Sequence, residues 1–226
     1  MKIGVLLSGC GVYDGAEIHE SVLTLLAIEE AGAEAICISV DKDQNHVVNH
    51  ITGEEQKEKR NMMIEASRIA RGDIKEINDV EPADIDMLVI PGGFGSAKNF
   101  TTWAFNGPEG EILPQVKLLL VNMVNIGKPI VALCVSPVVV AKAFEDSEVH
   151  PFMTIGSDKD ASPYDIGEFT QGLEATGATT TMKKAFEVNV DEANKIVTAP
   201  CYMMETNLTT LRNNIKDAIE EGLKMA

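Results

Sequence analysis

The chain has 226 residues, which suits one large domain or two small ones. Apolar residues make up 45% and charged residues 24%, so an ordinary core can form and neither disorder nor a fibre is indicated. Nineteen Lys and Arg stand against 35 Asp and Glu, a formal charge of −16; this repels phosphate backbones and anionic headgroups, so neither nucleic acid nor a membrane surface is expected as a partner.

Lys2–Leu7 is a short apolar run entering Ser8-Gly9-Cys10-Gly11, the pattern of a buried strand and its loop. Ile18, Val22, Leu25, Leu26 and Ile28 follow at helical spacing, and Gly32 stops that helix. Ala35–Val40 reads as the next strand, Asp41–Arg60 as a polar insertion able to cover a site or a subunit interface, and Asn61–Arg71 as a helix. Met87–Ile90 is a third strand running into Pro91-Gly92-Gly93-Phe94-Gly95. A helix is expected over Ile112–Val124, a fourth strand over Ile130–Leu133 and a helix over Pro137–Phe144. Farther on, Phe152–Ile155 reads as a strand and Ile166–Ala175 as a helix. Val188–Val190 and Ile196–Thr198 flank a hairpin or short excursion, and Leu208–Leu223 is the closing amphipathic helix. Continuously apolar strands separated by helices predict an α/β fold with a mostly parallel sheet covered on both faces, and no break in composition divides residues 1–226 into two domains.

The four cysteines, Cys10, Cys37, Cys134 and Cys201, contain no CxxC pair, which argues against a zinc knuckle or a disulfide scaffold and for reduced thiols in a cytoplasmic protein. Leu7-Ser8-Gly9-Cys10 has the spelling of a lipoprotein cleavage site, but the apolar stretch before it falls short of the roughly 7–15 residues a secretory segment needs. No run approaches the roughly 20 apolar residues of a membrane span. Gly9-Cys10-Gly11 with Gly15 imitates a dinucleotide fingerprint, yet Asp14 stands where GxGxxG requires glycine. No cofactor is expected.

In an open parallel sheet, ligands bind beyond the carboxyl ends of the strands, where three loops should meet. The most specific is Leu133-Cys134-Val135-Ser136-Pro137. Ala132 and Ser136 flank the cysteine at two positions' distance, as a crowded nucleophile elbow demands, and Pro137 is pre-set for a first helical turn. The helix N-terminus is expected to lower the Cys134 pKa; the plainer alternative is a buried cysteine at a strand end. In the Pro91–Gly95 loop, the Gly93 N–H is paired with that of Val135 as an oxyanion hole, the alternative being a tight turn. The first loop and helix offer Asp14, Glu17 and Glu20, with His19 between the last two, as proton carriers; a helix-terminus acid is the competing reading, stronger for Glu17 than for Glu20. Cys37 reads as core, Cys10 and Cys201 both follow strand ends so that either could lie near Cys134, and a redox pairing of Cys134 with Cys10 is conceivable. His46 and His50 could form a metal pair or sit in a solvated loop; no metal is expected. No histidine follows the elbow closely.

Together the runs Ser8–Glu20, Val47-Val48-Asn49-His50 with Thr52-Gly53-Glu54, Arg60-Asn61, Glu65–Gly72, Pro91–Gly95 with Ala97-Lys98-Asn99, Leu133-Cys134 with Pro137, and Asn194–Pro200 resemble the ThiJ/PfpI-type class I glutamine-amidotransferase-like superfamily, and within it the enhancing-lycopene-biosynthesis (ElbB) branch, the isoprenoid biosynthesis glyoxalases. The resemblance implies a flavodoxin-like three-layer sandwich, a homodimer, Cys134 as nucleophile, and an acid of the first helix in contact with it. Counting back from Gly32 the acid falls on Glu20, with Glu17 the second choice and His19 a helper. It also implies glutathione-independent conversion of small glyoxal-type aldehydes to hydroxy acids. The histidine that many superfamily members carry beyond the elbow has no counterpart, since Thr154-Ile155-Gly156 occupy that stretch. A redox or stress sensor built on Cys134 is therefore the second reading, and a cysteine amidase or protease the third.

Overall fold

A computed structural model describes the whole chain, Met1–Ala226. Strand β1 (Lys2–Leu6) is followed by helix α1 (Ile18–Glu30), β2 (Glu34–Ser39), α2 (Met62–Ile69), the two-residue β3 (Lys75–Glu76) and β4 (Met87–Ile90). A π-helical turn over Ser96–Phe100 and the short α3 (Trp103–Asn106) lead to α4 (Pro114–Asn125), β5 (Ile130–Leu133) and α5 (Pro137–Phe144). Then come β6 (Phe152–Met153), α6 (Ile166–Ala175), β7 (Thr179–Thr180), β8 (Asn189–Asp191), β9 (Ile196–Ala199) and α7 (Leu208–Met225).

Seven strands form one sheet in the order β3-β2-β1-β4-β5-β9-β8. Every pairing in it is parallel except β8 with β9. The five central strands thus follow the flavodoxin-like order, which reverses between β1 and β4. β4, β5 and β9 are buried at every position because α1 and α7 pack together over the sheet and α4 packs with α5. Burial on both faces removes any reason for polar residues to alternate, which is why these strands are continuous apolar runs. One cluster of 53 buried hydrophobic residues fills the interior.

Two elements differ from the sequence expectation. The helix expected from Ile112 starts at Pro114, whose fixed φ and missing N–H suit a first turn. The strand expected over Phe152–Ile155 stops at Met153 and pairs with β7 in a separate two-stranded sheet; the Thr154 N–H goes to the Thr198 side chain instead, at 2.8 Å. The excursion after Val188 is the antiparallel β8–β9 pair. The polar insertion Asp41–Arg60 contains no helix or long strand and is pinned to the first loop. There the Val48 N–H donates to Asp14 Oδ2 at 2.7 Å, Gln44 Nε2 to the Asp14 carbonyl at 3.1 Å, and the Asn45 N–H to Asn99 Oδ1 at 3.0 Å. No helix is long and apolar enough to cross a membrane.

Gly222 lets α7 lie flush on the sheet: a Cβ there would come within 2.5 Å of Met87 Sδ and 2.8 Å of Val131 Cγ2. Gly222→Ala therefore sets a gain in helix propensity of about 1 kcal/mol against overpacking of about 1–3 kcal/mol. The expected outcome is net destabilisation, read as a lower denaturation midpoint; a stabilised variant would show that α7 does not rest on the sheet at this point.

Candidate active site

Cys134 lies directly after β5 with φ 57°, the left-handed region that a side chain rarely adopts. Local bonds hold that conformation. The Ser136 N–H donates to the Leu133 carbonyl at 2.9 Å, closing a tight turn, and the Cys134 N–H donates to the Ala199 carbonyl of β9 at 2.9 Å. Ser136 Oγ donates to the Pro91 carbonyl at 2.8 Å and lies 2.9 Å from Ser96 Oγ, binding the turn to the loop after β4. Ala132 and Ser136 are both wholly buried, so larger side chains would have no room.

Glu20, on the first turns of α1, is also wholly buried. Its Oε2 accepts from the Gly92 N–H at 2.8 Å, its Oε1 accepts from the Tyr202 N–H at 3.1 Å, and the Cys134 thiol donates to the same carboxylate. Burial, reinforced by the nearby Glu17 charge, pushes Glu20 up to about 8, and the three hydrogen bonds only partly oppose this. Gly92 makes the contact possible: a Cβ on it would fall 2.3 Å from Cys134 Cβ and 2.4 Å from Glu20 Oε2. Glu17 is the N-cap of α1, its Oε2 accepting from the Glu20 N–H at 2.7 Å, and burial raises its pKa as well. His19 is exposed, with Nδ1 3.1 Å from the Tyr202 hydroxyl and 4.0 Å from Glu17 Oε1.

The Cys134 thiol departs from the expectation of a lowered pKa. Burial and the Glu20 charge hold it well above the ordinary value, although the Gly93 and Val135 N–H groups pull the other way. Those two N–H groups, expected to hold an oxyanion, point at the sulfur itself. Burial raises the pKa of Cys10, whose charged neighbours are Glu65, Arg68 and Asp14. The thiol that does lie beside Cys134 is Cys201, wholly buried and also left-handed at φ 47°. Cys37 is core, its thiol pushed up to about 11 by burial. His50 has both ring nitrogens engaged, Nε2 accepting from the Tyr13 N–H at 3.2 Å and Nδ1 facing the Val48 carbonyl at 3.0 Å. His46 stacks edge-on against Phe105, so the two histidines form no metal pair. No group of three or more His, Cys, Asp or Glu is arranged to hold a metal ion.

Above the thiol is a chamber of about 10 Å³ lined by Val12, Glu17, Phe94, Tyr164, Tyr202 and Met203, room for about one water. Val12, Glu17, Tyr164 and Tyr202 also line an open depression of about 560 Å³ that contains His19. Tyr164 meets Phe94 edge-on, ring centres 5.5 Å apart, and so closes the chamber. Tyr164 and Tyr202 were not singled out from sequence as site residues, and Cys201 only as one of two thiols that could lie near Cys134. They arrive from the chain after Ser157, where no motif marks them, although the Pro200 end of the last parallel strand signals that residues after it reach the site.

The model of the DJ-1/PfpI family matches residues 10–145. A human protein, glutamine amidotransferase-like class 1 domain-containing protein 3, mitochondrial, is 35% identical over 226 residues, covering 99% of this chain and 83% of the relative. The crystal structure of an isoprenoid biosynthesis protein with amidotransferase-like domain from Ehrlichia chaffeensis superposes with a TM-score of 0.90 at 32% identity, covering 100% of this chain and 99% of that one. Glyoxalase III from Candida albicans shares the fold, with a TM-score of 0.60 at 16% identity over 98% of this chain and 97% of that one. The human relative and two further vertebrate relatives carry a mitochondrial location in their names, which overturns the expectation of a cytoplasmic protein. Reduced thiols indicate a reducing compartment without saying which one.

The raised Glu20 pKa has a consequence for stability. The folded state holds this proton more tightly than the unfolded chain does, so the contribution is full below the ordinary value of 4.5 and is lost as pH rises to about 8. Glu20→Gln should remove that slope, and its loss of stability relative to wild type should shrink between pH 5 and 9 by on the order of a few kcal/mol. Denaturation midpoints of both proteins across that range check this; parallel pH profiles would show that Glu20 titrates normally.

Proposed function

The chain belongs to the DJ-1/PfpI family, and from that membership and the contact between Cys134 and Glu20 we propose that it is a glutathione-independent glyoxalase acting on small glyoxal-type aldehydes. The observation that carries the reading is a wholly buried carboxylate hydrogen-bonded to the elbow thiol and shifted to about 8, within reach of the working range of a general base. The Cys134 sulfur adds to the aldehyde carbon as its proton passes to the Glu20 carboxylate, which hands it to the former aldehyde oxygen, giving a hemithioacetal. The Gly93 and Val135 N–H groups, aimed at the sulfur before reaction, stabilise charge on sulfur and then on the attached oxygen. Glu20 next takes the proton from the carbon bonded to sulfur and returns it to the neighbouring carbon, turning the first into a thioester carbonyl and the second into an alcohol. Water cleaves the thioester, releasing the hydroxy acid and restoring the thiol. His19 and the Tyr202 hydroxyl, at the mouth, serve the second carbonyl oxygen as it gains its proton. A chamber of about 10 Å³ is too small for a dialdehyde, so Tyr164 and Phe94 part to admit it.

A homodimer belongs to the same proposal. Ile18, Val22 and Leu26 recur every fourth residue on α1 at 45%, 50% and 41% exposure, an apolar stripe that a second copy would cover. Light scattering should give twice the chain mass for wild type and the single mass for Val22→Glu; a monomeric wild type removes this part. A link to isoprenoid biosynthesis rests on the likeness to the Ehrlichia chaffeensis protein.

Glyoxal turnover to glycolate, followed by product analysis, tests the reaction. Cys134→Ser should fall to background, and Glu20→Gln should lose roughly 100- to 10,000-fold in kcat. The wild-type rate should climb as the Cys134–Glu20 pair loses its first proton near pH 8. Undiminished turnover by Cys134→Ser would end the reading.

A further inference from the structure

Cys201 has no part in the proposed chemistry, yet its setting is as constrained as that of Cys134. It is wholly buried and left-handed at φ 47°, and its N–H is fixed by the side chain of Asn214, itself wholly buried, at 3.1 Å. The register of β5 on β9 brings it to the elbow. Leu133 is the partner of Ala199, so Cys134 and Cys201 follow the ends of neighbouring parallel strands one residue out of step. Cys134 directly follows β5, and Pro200, in a helical conformation, is the one residue between the end of β9 and Cys201, so the two thiols stand at adjoining strand ends where both chains turn. The bond from the Cys134 N–H to the Ala199 carbonyl holds the two strand ends together, and the same N–H also points at the Cys201 sulfur. Glu20 lies beside both thiols, accepting from the Tyr202 N–H immediately after Cys201.

We propose that Cys201 is the resolving thiol of Cys134, and that a hydroperoxide converts the adjoining pair at the ends of β5 and β9 into an intramolecular disulfide that switches the elbow off. The Cys134 sulfur attacks the peroxide, breaking its O–O bond. Sulfur is oxidised to the sulfenic acid, the peroxide is reduced, and water or an alcohol leaves with the thiol proton. The Cys201 sulfur then attacks the sulfenic sulfur, forming S–S and breaking S–O; the hydroxide departs as water with the Cys201 proton, and Glu20 is placed to relay protons in both steps. Hydrogen peroxide, smaller than the dialdehyde, reaches the thiol by the same parting of Tyr164 and Phe94. The proposal needs peroxide to reach Cys134 and does not require aldehyde turnover, so the two readings fail separately.

The full-length protein is treated with a small excess of hydrogen peroxide, its free thiols are blocked, and it is digested without reduction for peptide mass mapping. The expected product is a Cys134–Cys201 cross-link carrying the loss of two hydrogens, reversed by dithiothreitol. Cys10→Ala should form it undiminished. Cys201→Ser and Cys201→Ala, checked for folding by circular dichroism, should instead stop at the sulfenic acid, trapped by dimedone, or proceed to the sulfinic acid on Cys134. Wild type that yields Cys134 sulfinic acid with Cys201 still free, a cross-link to Cys10, or an unmodified Cys134 overturns the proposal.

Discussion

The buried contact between the Glu20 carboxylate and the Cys134 thiol is the constraint on which the rest of the site depends. A carboxyl group withdrawn from water is costly unless its oxygens are satisfied, and here the Gly92 N–H, the Tyr202 N–H and the thiol all converge on it. Those donors come from the loop after β4, the turn after β9 and the elbow after β5, while the acid itself comes from α1. One side chain thus ties together four segments that the sheet alone brings only to the same edge. Gly92 is obligatory for steric reasons, since any Cβ would occupy the space in which acid and sulfur meet.

Two opposing effects act on the thiol, and their sizes decide between them. A helix N-terminus contributes about 0.3–1 kcal/mol, up to about 2 in partly buried settings. Complete burial moves a titrating group by as much as 3–5 pKa units, at about 1.36 kcal/mol each. Burial wins at Cys134, and the Glu20 charge adds to it. The buried acid–thiol pair consequently holds both protons below about pH 8 and gives up the first of them there, so the chemistry is that of a coupled pair rather than of a standing thiolate.

The strands that carry the site were legible because burial on both faces leaves apolar runs, and the elbow was legible because crowding there restricts Ala132 and Ser136 to small side chains. Glu20 was singled out through resemblance; its spacing from Gly32 mattered, and nothing in its immediate neighbours separates it from Glu17, whose role as a cap appears only in three dimensions. Residues that join the site from the far end of the chain are marked locally only by the strand end at Pro200: the bond from the Tyr202 N–H to Glu20 spans 182 positions. Whether Cys10 or Cys201 lies near Cys134 was undecidable from sequence for the same reason. Both follow strand ends, but only the register of β5 on β9 tells which end lies beside the elbow.

The stretch beyond the elbow, where no histidine stands, has a structural task of its own. That stretch is diverted: Phe152–Met153 pairs with β7, and the Thr154 N–H is taken by Thr198 of β9. Its polar groups thus serve to seat the second small sheet against the first. The imidazole near the site is on α1, where His19 meets the Tyr202 hydroxyl at the mouth. In the proposed reaction a proton is handled at two depths, by the buried Glu20 at the sulfur and by the exposed His19–Tyr202 pair at the mouth. The separation has a physical basis, because the inner acid is tuned by burial and the outer pair stays in contact with water. Glu17 lines the space between them and caps the helix that carries both Glu20 and His19, so the start of α1 sets the spacing of the two layers.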